Sequence, residues 1–446
     1  GVANATVDRL GRCVPHASEM PLRQALDRVP RGREIPREDP PWPRVLEQAE
    51  RLVGLPRHLG LHPGGIVIAD TPLERYVPLE EAAKGILCTQ FEMRAVEAVG
   101  LVKIDLLGNR AISTIRETVE LVEAGGGPRL DPEAFPHEDP PTARLLSSGD
   151  SLGVFQMESP GMRNLNRMLA TRDLATAIAA VALIRPGPAA SGMKERFCRR
   201  ARGLEPAGYL DPRLEPVLRG TFGVPLYEED VMRVAAAVTG LPLEDGDVLR
   251  RAIAGASAAA REEMRGMFLA RARGNGYAPD TARAIWEGLL QFGAFAFCKA
   301  HAAGYGVLAW QAAWLKAHYP AEFAVALMNH HAGMYDKRTH LEDAKRRGVR
   351  VLLPDVNRSQ EGFTTEQGAI RIGLERVRGL RASTLAAILA ERRRRPFASL
   401  EDFRARVPAA RPELEALVAG GAFDFTGRTR PELFCLAAVA LKAFRG

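Results

Sequence analysis

The segment Gly100-Leu-Val-Lys-Ile-Asp-Leu-Leu-Gly108 constrains this chain more than any other. Val102, Ile104 and Leu106 alternate with Lys103 and Asp105. A strand with a period of two sends the three apolar side chains to one face and the Lys/Asp pair to the other. The pattern predicts a strand buried on its apolar face and stopping at Gly108, with a helix from Asn109 to Ala124 directly behind it. A carboxylate and an ammonium at such a strand end suit a divalent metal and a phosphate. The same spacing also describes an ordinary surface pair on an edge strand.

The chain is too long, at 446 residues, for one hydrophobic core, and about two to four domains are expected. Hydrophobic residues make up 46% and charged residues 26%, a globular rather than a disordered balance. The net charge of +7 favours an anionic partner without singling out nucleic acid. Cys13, Cys88, Cys198, Cys298 and Cys435 are far apart, with no CxxC and no Cys/His cluster at zinc spacing. They read as buried or incidental thiols of a reducing cytoplasm. No apolar stretch reaches membrane-spanning length, so no membrane partner is expected. The start carries no export leader and no initiator Met, as expected of a fragment or a processed product.

Residues 1–58 read as helical with a polar, proline-bearing middle, and 59–108 as short strands around glycines, Ile66 and Ile68 alternating with Val67 and Ala69. Helical periodicity dominates from 109 onward, with a strand-rich patch near 350–374 and an arginine-rich helical end. The predicted class is α+β, mostly α.

Several ordered segments carry more specific information. They are Gly54-Leu-Pro-Arg-His-Leu-Gly-Leu-His-Pro-Gly-Gly65, Val102-Lys-Ile-Asp-Leu-Leu-Gly108, Gly153-Val-Phe-Gln-Met-Glu-Ser-Pro-Gly-Met162, Ala182-Leu-Ile-Arg-Pro-Gly-Pro188, Asp247-Val-Leu-Arg-Arg-Ala252, Lys299-Ala-His301 and Trp314-Leu-Lys-Ala-His-Tyr-Pro-Ala-Glu322. In order and spacing they resemble the C family of bacterial replicative DNA polymerases, over most of the chain. The resemblance implies the end of a thumb at 1–58, the C-terminal part of a polymerase palm at 59–108, large helical fingers at 109–360, a tandem helix-hairpin-helix region at 361–425 and a tail at 426–446.

It also implies template-directed addition of deoxynucleotides to a primer 3′-hydroxyl, by phosphoryl transfer at two Mg²⁺ ions. Asp105 then corresponds to the third of three catalytic aspartates and is a metal ligand, with Lys103 beside it for a phosphate. Arg250 and Arg251 correspond to contacts with the incoming dNTP, and Lys299, His301 and Arg185 are further nucleotide-binding candidates. The departures are serious. The motif that carries the first two aspartates is missing, and the only Asp-x-Asp, Asp245-Gly-Asp247, reads as a helix cap. The basic residues expected after Arg251 are replaced by Gly255-Ala-Ser-Ala-Ala-Ala260. The expectation is a chain inactive by itself: either a portion of a polymerase, replicative or error-prone, or a half-enzyme that needs a separate N-terminal chain. Its partners would be primer-template DNA and replisome or repair subunits.

The segment Ile372-Gly-Leu-Glu-Arg-Val-Arg-Gly379-Leu-Arg-Ala-Ser-Thr384 carries a hairpin signal: an apolar helix, a turn at Gly379 and a second helix whose free N–H groups can hold a DNA phosphate. Arg378, Gly379 and Arg381 are the candidate DNA contacts there. Arg393 and Arg394 are two more, from the run Arg392–Arg395, which is equally well read as a solvated face. A second hairpin is expected around Leu414–Gly421. His58 and His62 read as scaffold near the active site.

Overall fold

In the computed structural model the described residues are 11, 21–28, 38–53, 55, 60–82, 84–106, 108–184, 192–255, 258–293 and 297–438. They divide into two units, 1–108 and 109–446. The class is α+β and mostly α, with seven short strands in three small sheets among the described residues.

In the first unit, helices Leu22–Arg28 and Trp42–Leu52 bury Leu26 and Leu46 against each other. Strand β1 (Gly65–Ile68) runs antiparallel to β4 (Val102–Asp105), with Gly65 opposite Asp105 and Val67 opposite Lys103. Strands β2 (Leu79–Glu81) and β3 (Leu87–Thr89) form a second antiparallel pair. A small core of Val77, Val96 and Leu101 packs against Val67, Ala69, Leu73 and Leu79.

This arrangement corrects one expectation. The apolar face of β4 is not buried: Val102, Ile104 and Leu106 are exposed, as are Ile66 and Ile68 on β1. The core lies instead under Val67, on the face that Lys103 shares as its cross-strand partner. Alternation tells which side chains share a face; packing decides which face meets the core.

The second unit begins with helix Arg110–Ala124, whose first turn is capped by the Asn109 side chain accepting from the Ala111 N–H at 3.0 Å. The spine of this unit is the 20-residue helix Lys299–His318. Its small residues Ala302, Gly306, Ala309 and Ala313 are buried, and it lies against helix Leu174–Leu183, which is itself rich in buried alanine. A Cβ on Gly306 would stand 2.9 Å from Ile178 Cα, so glycine sets how closely the two backbones approach. Further along the spine, Trp310 Nε1 donates to the Pro136 carbonyl (2.8 Å) and Gln311 Nε2 to that of Pro132 (3.0 Å).

Helices Glu228–Thr239, Leu243–Gly255, Ala258–Gly274 and Pro279–Gly293 surround a separate core that includes Val231, Leu249, Phe268 and Trp286. A three-stranded sheet follows. Strand β5 (Val351–Leu352) is parallel to the central β7 (Ala369–Arg371), and β6 (Thr364–Glu366) is antiparallel to it. Among the described residues no helix is long and apolar enough to cross a membrane.

The C-terminal helices close over Phe397, Phe403 and Phe423. Here the expected apolar helix before Gly379 is a single 3-10 turn, Leu374–Arg376. Gly379 then turns the chain at φ +86°, a conformation that suits glycine, and helix Ala382–Arg394 begins. Residues 407–410 join helix Leu400–Arg406 to helix Arg411–Ala419, and Gly421 (φ +86°) ends the latter before helix Arg430–Ala438.

Two helix starts are tied together by one buried carboxylate. Glu413 accepts from the Ala410 N–H (2.8 Å) at the head of its own helix, and from the Arg381 N–H (2.9 Å) and guanidinium (2.7 Å) at the head of helix Ala382–Arg394. These bonds, chiefly the Arg381 side chain, bring its pKa from 4.5 down to about 2. A carboxylate with a depressed folded-state pKa contributes stability above its unfolded value and loses it as pH falls through the folded value. Urea unfolding of the C-terminal region should therefore lose stability between pH 4.5 and about 2. Glu413→Ala should cost roughly 2–3 kcal/mol at neutral pH and flatten that pH dependence. An unchanged unfolding midpoint would remove Glu413 as the tie.

Candidate active-site and DNA-binding residues

At the end of β4 the Lys103 ammonium donates to Asp105 Oδ1, and His62 Nδ1 lies 3.7 Å from the same oxygen. The Gly64 N–H donates to His62 Nδ1 at 3.2 Å, which anchors the loop into β1. Gly65 makes room for this trio. A Cβ there would stand 3.0 Å from both His62 Nδ1 and Lys103 Cε. The hydrogen bond from Lys103, with smaller help from the nearby charges of Lys103 and His62, holds the Asp105 carboxyl below its ordinary 3.8. Lys103 is largely covered, whereas Asp105 is 45% exposed.

His62 was read from sequence only as scaffold, and its approach to Asp105 is a tertiary result; His58 lies outside the described residues. Among the described residues no three His, Cys, Asp or Glu side chains come together to hold a metal. One carboxylate and one imidazole do not fit a two-ion site by themselves.

In the second unit, three of the candidate nucleotide contacts gather around the start of helix Glu228–Thr239. Arg250 pairs with Asp247 (2.9 Å) and with Glu228 (3.2 Å). The Lys299 N–H donates to both Glu229 carboxylate oxygens (3.1 and 3.0 Å), and its Nζ lies 5.4 Å from the Tyr227 ring. His301 is exposed and sits between Phe297 (5.3 Å, edge-on) and Tyr305 (4.4 Å, tilted), the latter stacked on Phe155. Tyr227, Glu228 and Glu229 were not singled out from sequence; the acidic run Glu228-Glu229-Asp230 at a helix start was the available signal. Asp245 and Asp247 sit inside the first turns of helix Leu243–Gly255 rather than capping it, and Asp247 instead fixes Arg250. Arg185 and the Arg251 side chain lie outside the described residues.

At the hairpin, Arg378 and Gly379 are exposed. Arg381 is committed to Glu413. The arginine run divides: Arg392 donates to the Ser359 carbonyl and to Gln360 Oε1, and Arg395 pairs with Asp402 at 2.6 Å. Among the described residues Arg394 pairs only with Glu391 (2.8 Å), its own side chain staying exposed, and Arg393 is exposed. Half of a run that reads as a solvated face is therefore structural.

Comparison with known proteins matches residues 1–108 to the bacterial DNA polymerase III alpha NTPase domain. Residues 111–276 match the bacterial DNA polymerase III alpha subunit finger domain, and 348–433 a helix-hairpin-helix motif. The DNA polymerase III subunit alpha of Aquifex aeolicus is 34% identical over 471 aligned residues, covering 99% of this chain and 41% of that protein. The subunit alpha of Thermus aquaticus is 38% identical, over 96% of this chain and 36% of that protein. The error-prone DNA polymerase of Symbiobacterium thermophilum is 37% identical, over 95% and 41%.

The fold and these matches define a chain of polymerase III alpha type, with an NTPase-domain segment, a finger domain and a helix-hairpin-helix segment in order. The chain belongs to the bacterial DNA polymerase III alpha-subunit family. It spans about two fifths of the length of the relatives it matches.

Lys103→Met should raise the Asp105 pKa back toward 3.8, because the main hydrogen bond holding it down is gone. Carboxyl-carbon NMR titration of the labelled aspartates checks this. An Asp105 resonance that titrates identically in both proteins would break the Lys103–Asp105 assignment.

Proposed function

We propose that this chain supplies the palm end, fingers and duplex-DNA grip of a template-directed DNA polymerase that adds deoxynucleotides to a primer 3′-hydroxyl. The observation that carries the reading is the Asp105 carboxylate, kept ionised by Lys103 and His62 at a strand end opened by Gly65. In this reading Asp105 is one of several carboxylates, the others coming from residues outside this sequence, and the enzyme depends on a divalent metal. Lys103 orients a phosphate beside it.

Arg250, Lys299 and His301 meet the incoming nucleotide in the same reading. The triphosphate would take the place of Glu228 and Asp247 on Arg250, since a guanidinium fork suits phosphate as well as carboxylate. The exposed His301 on its aromatic ladder offers a ring face and a polar edge. The hairpin at Gly379 and the exposed Arg378, Arg393 and Arg394 grip the duplex backbone without reading sequence. Relatives named DNA polymerase III subunit alpha and error-prone DNA polymerase match about equally well.

A second reading is favoured by the lack of a three-ligand cluster among the described residues: a DNA-binding half that works only beside a separate N-terminal polymerase chain. Primer extension with Mg²⁺ and four dNTPs tests both. The purified chain is expected to give no extension. Adding the N-terminal part of a relative such as that of Thermus aquaticus should restore it, and Asp105→Asn should abolish the restored activity by at least about 10²-fold. Extension by the chain alone that survives Asp105→Asn would refute the assignment of Asp105.

A further inference from the structure

Beside the first hairpin a cleft of about 400 Å³ opens between the end of helix Pro320–Asn329, the start of helix Lys337–Arg346 and the turn Leu374–Arg376. Its walls carry His331, Lys337, Arg338, His340 and Arg376 against a single carboxylate, Asp336. Asp336 is already engaged, accepting from the Thr339 N–H at 2.7 Å as the cap of its helix. Lys337 shares its charge with Glu375 at 3.3 Å. Arg338 and Arg376 are exposed and form no salt bridge among the described residues. Two guanidinium groups outside any salt bridge among the described residues thus line one concave site, Arg338 within reach of the Asp336 charge.

The buried His340 closes the floor of the cleft. His340 is 3% exposed, and its Nε2 is buried with no hydrogen-bond partner. Gly333 (φ +85°) passes over it. A Cβ at Gly333 would stand 3.1 Å from His340 Nε2 and 3.3 Å from both Glu158 oxygens, so glycine lets this turn close over the imidazole and the carboxylate.

We propose that this cleft seats a backbone phosphate of duplex DNA, next along the strand from the one held at the Gly379 hairpin. The inference rests on the hairpin reading given above and extends it. Arg376 stands three residues before Gly379, which keeps the cleft within about 11 Å of the hairpin turn along the chain. A single tetrahedral phosphate fits a cleft of this size, and paired arginines can meet its oxygens in forks. The contact would fix the register of the duplex and read no sequence.

Fluorescence anisotropy of a labelled duplex with the full chain, across roughly 50–200 mM salt, tests this. Arg338→Ala and Arg376→Ala should each weaken binding equally on unrelated sequences. Each should also lower the slope of log affinity against log salt by about 1. Lys345→Ala removes the same charge from the same helix outside the cleft, and should leave the slope unchanged. Wild-type binding that is weakened by Arg378→Ala and Arg393→Ala but keeps its slope in both cleft variants overturns this inference alone. A wild-type chain that binds no duplex overturns the hairpin reading and this one together.

Discussion

The second unit depends on a buried ammonium. Lys316, near the end of the spine helix, is 3% exposed and donates to the Leu152 carbonyl and to Asp343 at 2.6 Å. Burial brings its pKa down to about 8, against the pull of Asp343 in the other direction. Arg346 and Arg347 extend the network by holding Asp343 and Asp150. One charge cluster therefore ties the spine, the turn at Asp150–Leu152 and helix Lys337–Arg346 into one body. Such a cluster is held together by complete pairing, because desolvated charges without partners would cost several kcal/mol each. Lys316 thereby anchors the C-terminal end of the spine. About 25 Å away the same helix begins at Lys299 and His301, and on the near side the fixed helix carries His340 and Arg338.

The cations of this protein fall into grades set by what already holds them. Arg381 and Arg392 are structural, their partners being a buried carboxylate and backbone carbonyls. Arg250 is intermediate: its partners Glu228 and Asp247 are partly exposed and on a neighbouring helix start and its own helix. A triphosphate can compete for such a guanidinium because both states leave it paired. Arg338, Arg376, Arg378 and Arg393 are exposed with least commitment, and these are the groups a polyanion can engage at little cost. The sequence-level count of arginines could not make these distinctions, since each depends on a carboxylate or carbonyl distant in the chain.

Much of the candidate site was legible because its signals are local. The alternation around Asp105 specified a strand, the helical periodicity after Gly108 the following helix, and the Gly379 turn the hairpin. What failed was orientation. The alternation of Val102, Ile104 and Leu106 was right about their shared face and wrong about its burial, because the core of that unit is recruited from Val77, Val96 and Leu101 on the other side. The apolar helix expected before Gly379 shrank to a 3-10 turn, Leu374 being drawn into the buried C-terminal core instead.

By itself the sequence determined the family, the mostly helical class, and the order of strand, finger and hairpin segments, because ordered motifs and short-range periodicity are properties of the chain alone. The tertiary structure decided that His62 meets Asp105, that Glu413 joins two helix heads, that Arg250 is shared between Asp247 and Glu228, and that Arg338 and Arg376 line one cleft. Each of these is a meeting of side chains from separate segments. Distance and burial, which set the strength of every such contact, exist only once those segments have packed.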